Sequence, residues 1–245
     1  MKGFKQFSFD KTLLRTECDI LKNTLKKGQN LSLDEDAHLS PIFKKSPNLV
    51  SIIASAFGGV ADPNLIASEY WILDKLRCDF AVANFRHKKF CFIEIEDAKQ
   101  NSIFVERKPD QFNGLMGKSP YFDWAQRFEH GTSQMVDWIR ILKDEEKTDN
   151  FRAHFGSSND FEAEFVLVIG RDEFLDDNQR QRLAWRSKNV LTAGHKVKSI
   201  TYDEVVSEAE WELDTYGPAA DADASIADAS VAVALDGPLK DGGSA

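Results

Sequence analysis

Three carboxylates lie close together in a stretch that reads as two β-strands. Asp79 precedes the apolar run 80–85, and Glu94 and Glu96 lie at the end of the apolar run 90–95. The polar residues between the two runs predict a hairpin turn. Because successive side chains of a strand point to opposite faces, Glu94 and Glu96 share one face. The pattern therefore predicts an acidic cluster on a hairpin.

The register of this hairpin decides how close the carboxylates come. A turn centred near Arg86 to Lys88 pairs residues whose numbers sum to 173 or 174, which places Asp79 opposite Glu94 or Ile95, with Cβ atoms about 5 Å apart. Facing carboxylates repel, so a positive group is expected between them. Mg²⁺ or Mn²⁺ fits such oxygen ligands and activates water for phosphodiester hydrolysis. The alternative is an edge hairpin with one solvated acidic face.

The composition limits the class of protein. The 245 residues are 42% hydrophobic and include 18 Phe, enough for a substantial core. Three cysteines without ligand-like spacing argue against a disulfide framework or a zinc knuckle and indicate a reducing compartment. The sequence shows no apolar signal segment or membrane span, so we expect a cytoplasmic protein. The net charge of -9 implies that any contact with nucleic acid uses local basic patches.

The chain divides into three predicted parts. Residues 1–60 read as helical, either as an N-terminal extension or as part of the main fold. Residues 61–216 alternate strands and helices, which predicts an α/β fold with a mixed central β-sheet flanked by helices. Residues 217–245, rich in Ala, Asp, Ser and Gly, predict a disordered tail.

Four elements of the middle part are expected from their patterns. The apolar run 164–169, closed by Gly170, predicts a buried central strand, and an apolar stripe predicts a long amphipathic helix over residues 123–143. Residues 198–202 predict a last short strand. A closing helix follows, for which Asp203 is a plausible N-cap.

The order of these motifs resembles a known family. Asp79 followed by Glu94-x-Glu96 is similar to the PD-(D/E)XK nuclease motif. A wider set recurs in the same order in the nuclease-like domain of Shedu anti-phage defence proteins: Cys78-Asp79-Phe80, Phe92-Ile-Glu-Ile-Glu96, Gln134-Met-Val-Asp-Trp138, Val168-Ile-Gly-Arg171 and Ile200-Thr-Tyr-Asp-Glu204. The resemblance covers residues 69–206. It implies a PD-(D/E)XK (restriction-endonuclease-like) core, a metal-dependent DNA endonuclease and a homo-oligomer.

The resemblance also implies roles for individual residues. Asp79 and Glu94 correspond to the metal ligands, and Glu96 occupies the position where most members have a catalytic Lys. Gln134 with Trp138 resembles the Gln-x-x-x-Tyr helix motif of RecB-like nucleases, in which the Gln faces the active site. Glu69 corresponds to an upstream Glu that completes the metal shell in some members.

Two points stay open in the sequence. At position 96, the acid can itself act as a base or second-metal ligand, Lys99 can supply the missing amine, or the domain is an inactive module that binds nucleic acid or a partner. Arg171, directly after the buried strand, can bind a substrate phosphate or form a structural salt bridge.

Overall fold

The protein was analysed as a computed structural model that describes residues 1–27, 33–107, 122–156 and 160–215. Its helices and strands follow in this order: β1 (Lys5–Gln6), α1 (Lys11–Lys27), a π-helix (Glu35–Leu39), α2 (Ser40–Phe43), α3 (Pro47–Ile52), a second π-helix (Ile53–Phe57), β2 (Leu65–Ile72), β3 (Leu76–Asn84), β4 (Lys89–Ile95), β5 (Phe104–Glu106), β6 (Phe122–Trp124), α4 (Gln126–Glu145), α5 (Asp149–Phe155), β7 (Glu162–Val168), a 3₁₀-helix (Asp172–Phe174), α6 (Asp177–Asn189), β8 (Leu191–Thr192), β9 (His195–Ile200) and α7 (Tyr202–Thr215).

A mixed sheet organises the fold. Within the described residues, seven strands form it in the order β1-β2-β3-β4-β7-β9-β8. Each neighbouring pair from β1 to β4 is antiparallel, and β4, β7 and β9 are parallel. The prediction of an α/β fold with a mixed central sheet is confirmed. Strand β7 lies between β4 and β9 and is fully buried over its last four residues, as its apolar run predicts.

The hairpin β3–β4 has the first of its two predicted registers. Phe80 pairs with Ile93 and Ala81 with Phe92, so paired numbers sum to 173, and the same register carries Asp79 to Glu94. The turn forms without Gly because the Asn84 side chain accepts hydrogen bonds from the backbone N–H groups of Arg86 and His87.

Helices cover both faces of the sheet. One core cluster joins alternate strand residues such as Phe92 and Leu167 to Met135 and Trp138 of α4. The other joins the opposite set, including Phe80 and Ile93, to residues of α1, α3 and α7. The helices of the first sixty residues therefore bury their apolar sides against the sheet. The boundary at residue 60 stays a prediction, and the predicted tail 217–245 lies outside the described residues.

The boundaries near the C-terminal end of the chain differ from the predictions. The last strand ends at Ile200, and Tyr202 already belongs to α7. The helix is capped by Thr201 rather than by Asp203, because Thr201 Oγ1 accepts a hydrogen bond from Glu204 N and Glu204 Oε2 accepts one from Thr201 N. Asp203 binds Arg171 instead.

The long helix is confirmed with shifted ends, since α4 spans Gln126–Glu145. The predicted polar loop 97–121 contains the short strand β5, and its residues 108–121 lie outside the described part. No helix in the described part of the chain combines the length and apolarity that a membrane crossing needs.

Candidate functional site

An acidic cavity of about 470 Å³ lies between the β3–β4 hairpin and helix α4. Its wall includes these side chains: Glu35, Asp79, Glu94, Glu96, Arg127 and Gln134. The structure thus brings together four residues that the sequence analysis singles out, and adds two that it does not. Polar atoms dominate the exposed wall, which suits a charged ligand better than an apolar one.

The strands hold the three hairpin carboxylates at one end of the sheet. Asp79 Oδ2 accepts a hydrogen bond of 2.8 Å from the backbone N–H of Ile95, which ties it to the strand that carries Glu94. The backbone N–H of Glu96 donates to Val168 O at 2.9 Å, so the chain beyond β4 still follows β7. Glu94 and Glu96 are consequently buried although they are acids.

Helix α4 supplies the opposite wall. Arg127 and Gln134 are seven residues apart, about two helical turns, and so project from one face. Gly131 lies between them: a Cβ there would stand 2.7 Å from Leu167 Cδ1 and 3.4 Å from Glu96 Cγ. The glycine therefore permits the close approach of α4 to β7 that places Gln134 in the cavity.

Burial dominates the electrostatics of Asp79 and Glu94. The Oε2 atom of Glu94 is buried and, among the described residues, has no hydrogen-bond partner; the same holds for Gln134 Oε1. Burial, followed by repulsion from Asp79, Glu96 and Glu35, raises the pKa of Glu94 well above its usual value. Burial also raises the pKa of Asp79, although its hydrogen bond from Ile95 opposes the shift.

Arg127 provides part of the positive charge that the hairpin acids require. Its guanidinium forms ion pairs with Glu96 and with Glu35 of the first π-helix. Burial nevertheless raises the pKa of Glu96 to about 8, against the opposing effect of Arg127. Burial and the charge of Asp79 raise the pKa of Glu35 to about 7. Among the described residues, neither Asp79 nor Glu94 forms an ion pair, although the charges of Arg77 and Lys44 oppose the raised pKa of Asp79.

The donor atoms of the cavity suit a hard divalent ion. Two carboxylates, Asp79 and Glu94, stand beside the unpartnered amide oxygen of Gln134, and such oxygens are preferred ligands of Mg²⁺ and Mn²⁺. Over the described ranges, no group of three or more His, Cys, Asp or Glu side chains has the arrangement of a metal-ligand set. Glu96, the third hairpin acid, is drawn to Arg127 instead.

Two further candidates lie at the edge of the cavity or beside it. Glu69, on β2, forms ion pairs with Lys44 and Arg77, and its charge contributes to the raised pKa of Asp79. Lys99 binds Asp97 at 2.8 Å and Asp34 at 3.1 Å. Lys99 is not among the residues that line the cavity.

Arg171 forms a salt bridge, which was one of its two predicted alternatives. Its guanidinium donates to both carboxylate oxygens of Asp203 and to the carbonyl oxygen of Leu25. The side chain is only 8% exposed. It joins the end of β7 to α7 and α1.

The sequence analysis did not identify Glu35 and Arg127. Glu35 is one of three consecutive acids, 34–36, and the π-helix that it begins is capped by Asp34, whose side chain accepts hydrogen bonds from two backbone N–H groups. Arg127 shares a helix face with Gln134 and Trp138, and this spacing can be read from the sequence. The sequence does not show that Arg127 pairs with an acid of the first sixty residues.

Fold and cavity together define an α/β protein with buried, incompletely paired carboxylates at one end of a mixed sheet. The family model described as "Shedu protein SduA, C-terminal" matches residues 16–206. The chain belongs to this family. The match begins within α1, so it includes the helices that precede residue 60. The comparison with curated proteins gives no match.

Proposed function

We propose that this chain is a metal-dependent DNA endonuclease with a PD-(D/E)XK core that acts in the cytoplasm, as a homo-oligomer, in anti-phage defence. Membership of the Shedu family supports the defence role. The observation that carries the nuclease proposal is the buried Glu94 carboxylate, which lies across the hairpin from Asp79 and has one oxygen without a hydrogen-bond partner in the described part of the chain. A protein retains such an unsatisfied buried group when a ligand completes it.

The residues of the cavity have distinct roles in this proposal. Asp79 and Glu94 would hold Mg²⁺ or Mn²⁺, with Gln134 Oε1 as a further ligand. The bound metal would supply a water of lowered pKa and stabilise charge on the phosphate. Burial raises the pKa of Glu96 to about 8, so its carboxyl is mostly protonated at neutral pH. A divalent ion bound at Asp79 and Glu94 would favour the ionised form of Glu96, which would then serve as the base for water. Glu69 would hold Lys44 and Arg77 beside Asp79.

Plasmid cleavage with Mg²⁺ or Mn²⁺ tests the proposal. Asp79→Asn and Glu94→Gln keep the shape of the side chains and remove their charge, and each is expected to reduce the cleavage rate about a hundredfold or more. Glu162→Gln is the matched control, because Glu162 is an exposed acid on β7. Thermal unfolding of each variant verifies folding. Equal nicking by wild type and both cavity variants would show that the nuclease is a contaminant.

A second candidate function is a non-catalytic module that binds nucleic acid or a partner. It is favoured by one observation: Glu96, where a Lys is usual, forms an ion pair with Arg127. Titration calorimetry with Mn²⁺ separates the two. Binding that disappears in Glu94→Gln supports the nuclease, whereas absence of divalent-ion binding supports the non-catalytic module.

A further inference from the structure

The cavity holds several acids, and a nucleic-acid substrate would bring further negative charge. We propose that Arg127 binds a backbone phosphate of the nucleic acid, with Glu96 and Glu35 as its positioning residues. This inference deepens the proposed function and rests on it. It assigns the positive charge that contacts the phosphate to helix α4, because position 96, directly after β4, carries an acid.

Arg127 is the cation best placed for this role among the described residues. Arg77 also lines the cavity, but it does not line the groove that adjoins the cavity, and Lys99 lines neither. Arg127 lines both the acidic cavity and an adjoining groove of about 700 Å³ along the start of α4. It therefore lies where a nucleic-acid strand would pass if it entered the cavity from this groove.

The contacts of the guanidinium leave it a free side. Its Nε contacts Glu96 and its Nη2 donates to Glu35, whereas Nη1 has no partner among the described residues. The side chain is 40% exposed. A guanidinium has five N–H donors in a planar fork that matches phosphate oxygens.

Three carboxylates, those of Glu96 and Glu35 and, at 3.9 Å, that of Asp97, restrict the movement of this fork. Glu96 is held by the end of the sheet, and the backbone N–H of Glu35 donates to Asp97 at 2.9 Å. A side chain restricted in this way loses less conformational freedom when it binds a ligand. The arrangement thus prepares Arg127 for an anion that arrives from the open side.

The competing explanation is that Arg127 only links the first π-helix to the sheet. The two explanations predict different measurements in solution. A structural link contributes to the free energy of unfolding and leaves DNA affinity unchanged. A phosphate contact contributes to affinity and to its dependence on salt, because each neutralised phosphate releases counterions.

The test measures binding of the full chain to a short fluorescent DNA duplex in EDTA over a series of KCl concentrations. Arg127→Gln is expected to weaken binding about tenfold. It should also reduce the slope of log affinity against log salt by about 0.9. Arg127→Lys should keep the slope and lose part of the affinity, since an amine cannot bind in a fork. Arg152→Gln, an exposed arginine of α5, is the matched charge control and should change neither.

Each outcome bears on one proposal or the other. Cleavage by wild type together with an unchanged salt slope in folded Arg127→Gln overturns the Arg127 inference and leaves the nuclease intact. A reduced salt slope in Arg127→Gln, together with no cleavage by the wild type, supports the phosphate contact of Arg127 and overturns the proposed nuclease activity. If Arg127→Gln does not fold, an Arg127→Lys variant with wild-type affinity overturns the inference, and one with reduced affinity and retained slope supports it. Folded wild type that does not bind the duplex overturns it as well.

Discussion

Two charged clusters lie at the ends of the neighbouring parallel strands β4 and β7, and they differ in how completely they are paired. After β7, Arg171 donates to Asp203 and to the Leu25 carbonyl, so the buried guanidinium meets both a carboxylate and a backbone acceptor. At the end of β4, Glu94 Oε2 and Gln134 Oε1 are buried without a hydrogen bond from the described residues.

The completeness of pairing distinguishes a cluster that stabilises the fold from one that binds a ligand. A buried ion pair with complete hydrogen bonding holds elements together, and its loss exposes the structure to an uncompensated charge. A buried carboxylate without a partner reduces stability, and proteins keep such groups where a ligand binds. Arg171 therefore belongs to the first kind of cluster and Glu94 to the second, although each lies at or just beyond the end of an apolar strand.

The largest effect on stability is expected for Arg171→Gln. The change leaves Asp203 without its cation and should lower the free energy of unfolding by about 3 kcal/mol, measured by urea denaturation. Glu94→Gln should leave it unchanged or raise it, because the variant removes an unpaired buried acid.

Arg140→Gln is the control for this pair of variants, since Arg140 and its partner Asp144 are both mostly exposed. A change within about 0.5 kcal/mol is expected there. The comparison would fail if Glu94→Gln destabilised the protein as much as Arg171→Gln.

A smaller effect is expected from pH. Glu35 and Glu96 have pKa values of about 7 and about 8, above their ordinary value, so the folded state binds protons more strongly than the unfolded state. The stability that this adds is fully present below the unfolded pKa and is lost as pH rises through the folded values. In EDTA, the free energy of unfolding should fall by about 1 to 3 kcal/mol from pH 5.5 to 8.5.

Urea denaturation at three pH values checks this expectation, and Glu96→Gln should make the decline shallower. A divalent ion that binds Asp79 and Glu94 should do the same. Stability that stays constant across this range in EDTA would contradict the assignment of raised pKa values to these acids.

The smallest effect is expected for Lys99→Gln. Lys99 is paired with Asp97 and Asp34 near the surface, so its loss should cost less than about 1 kcal/mol. The cleavage rate should change less than threefold. A tenfold loss of cleavage with unchanged stability would instead restore Lys99 to the catalytic role that the resemblance allows.

The sequence by itself determined the hairpin that carries the site. Local patterns predicted the mixed sheet, the buried strand β7 and helix α4, and the position of the turn limited the pairing of β3 with β4 to two registers. The hairpin placed Asp79 and Glu94 toward one site because strand alternation acts over a few residues, and the family resemblance added Gln134. The motif order identified the family on the same local evidence.

Only the tertiary structure decided how the charges are paired. Glu35 and Arg127 lie far apart in the chain, and they meet at Glu96 because one core packs the first helices onto the sheet while Gly131 lets α4 approach from the other side. Arg171 became structural for the same reason, since Asp203 and Leu25 reach it from separate helices. Ion pairs depend on distances between elements, and these distances are set by packing that no local pattern records.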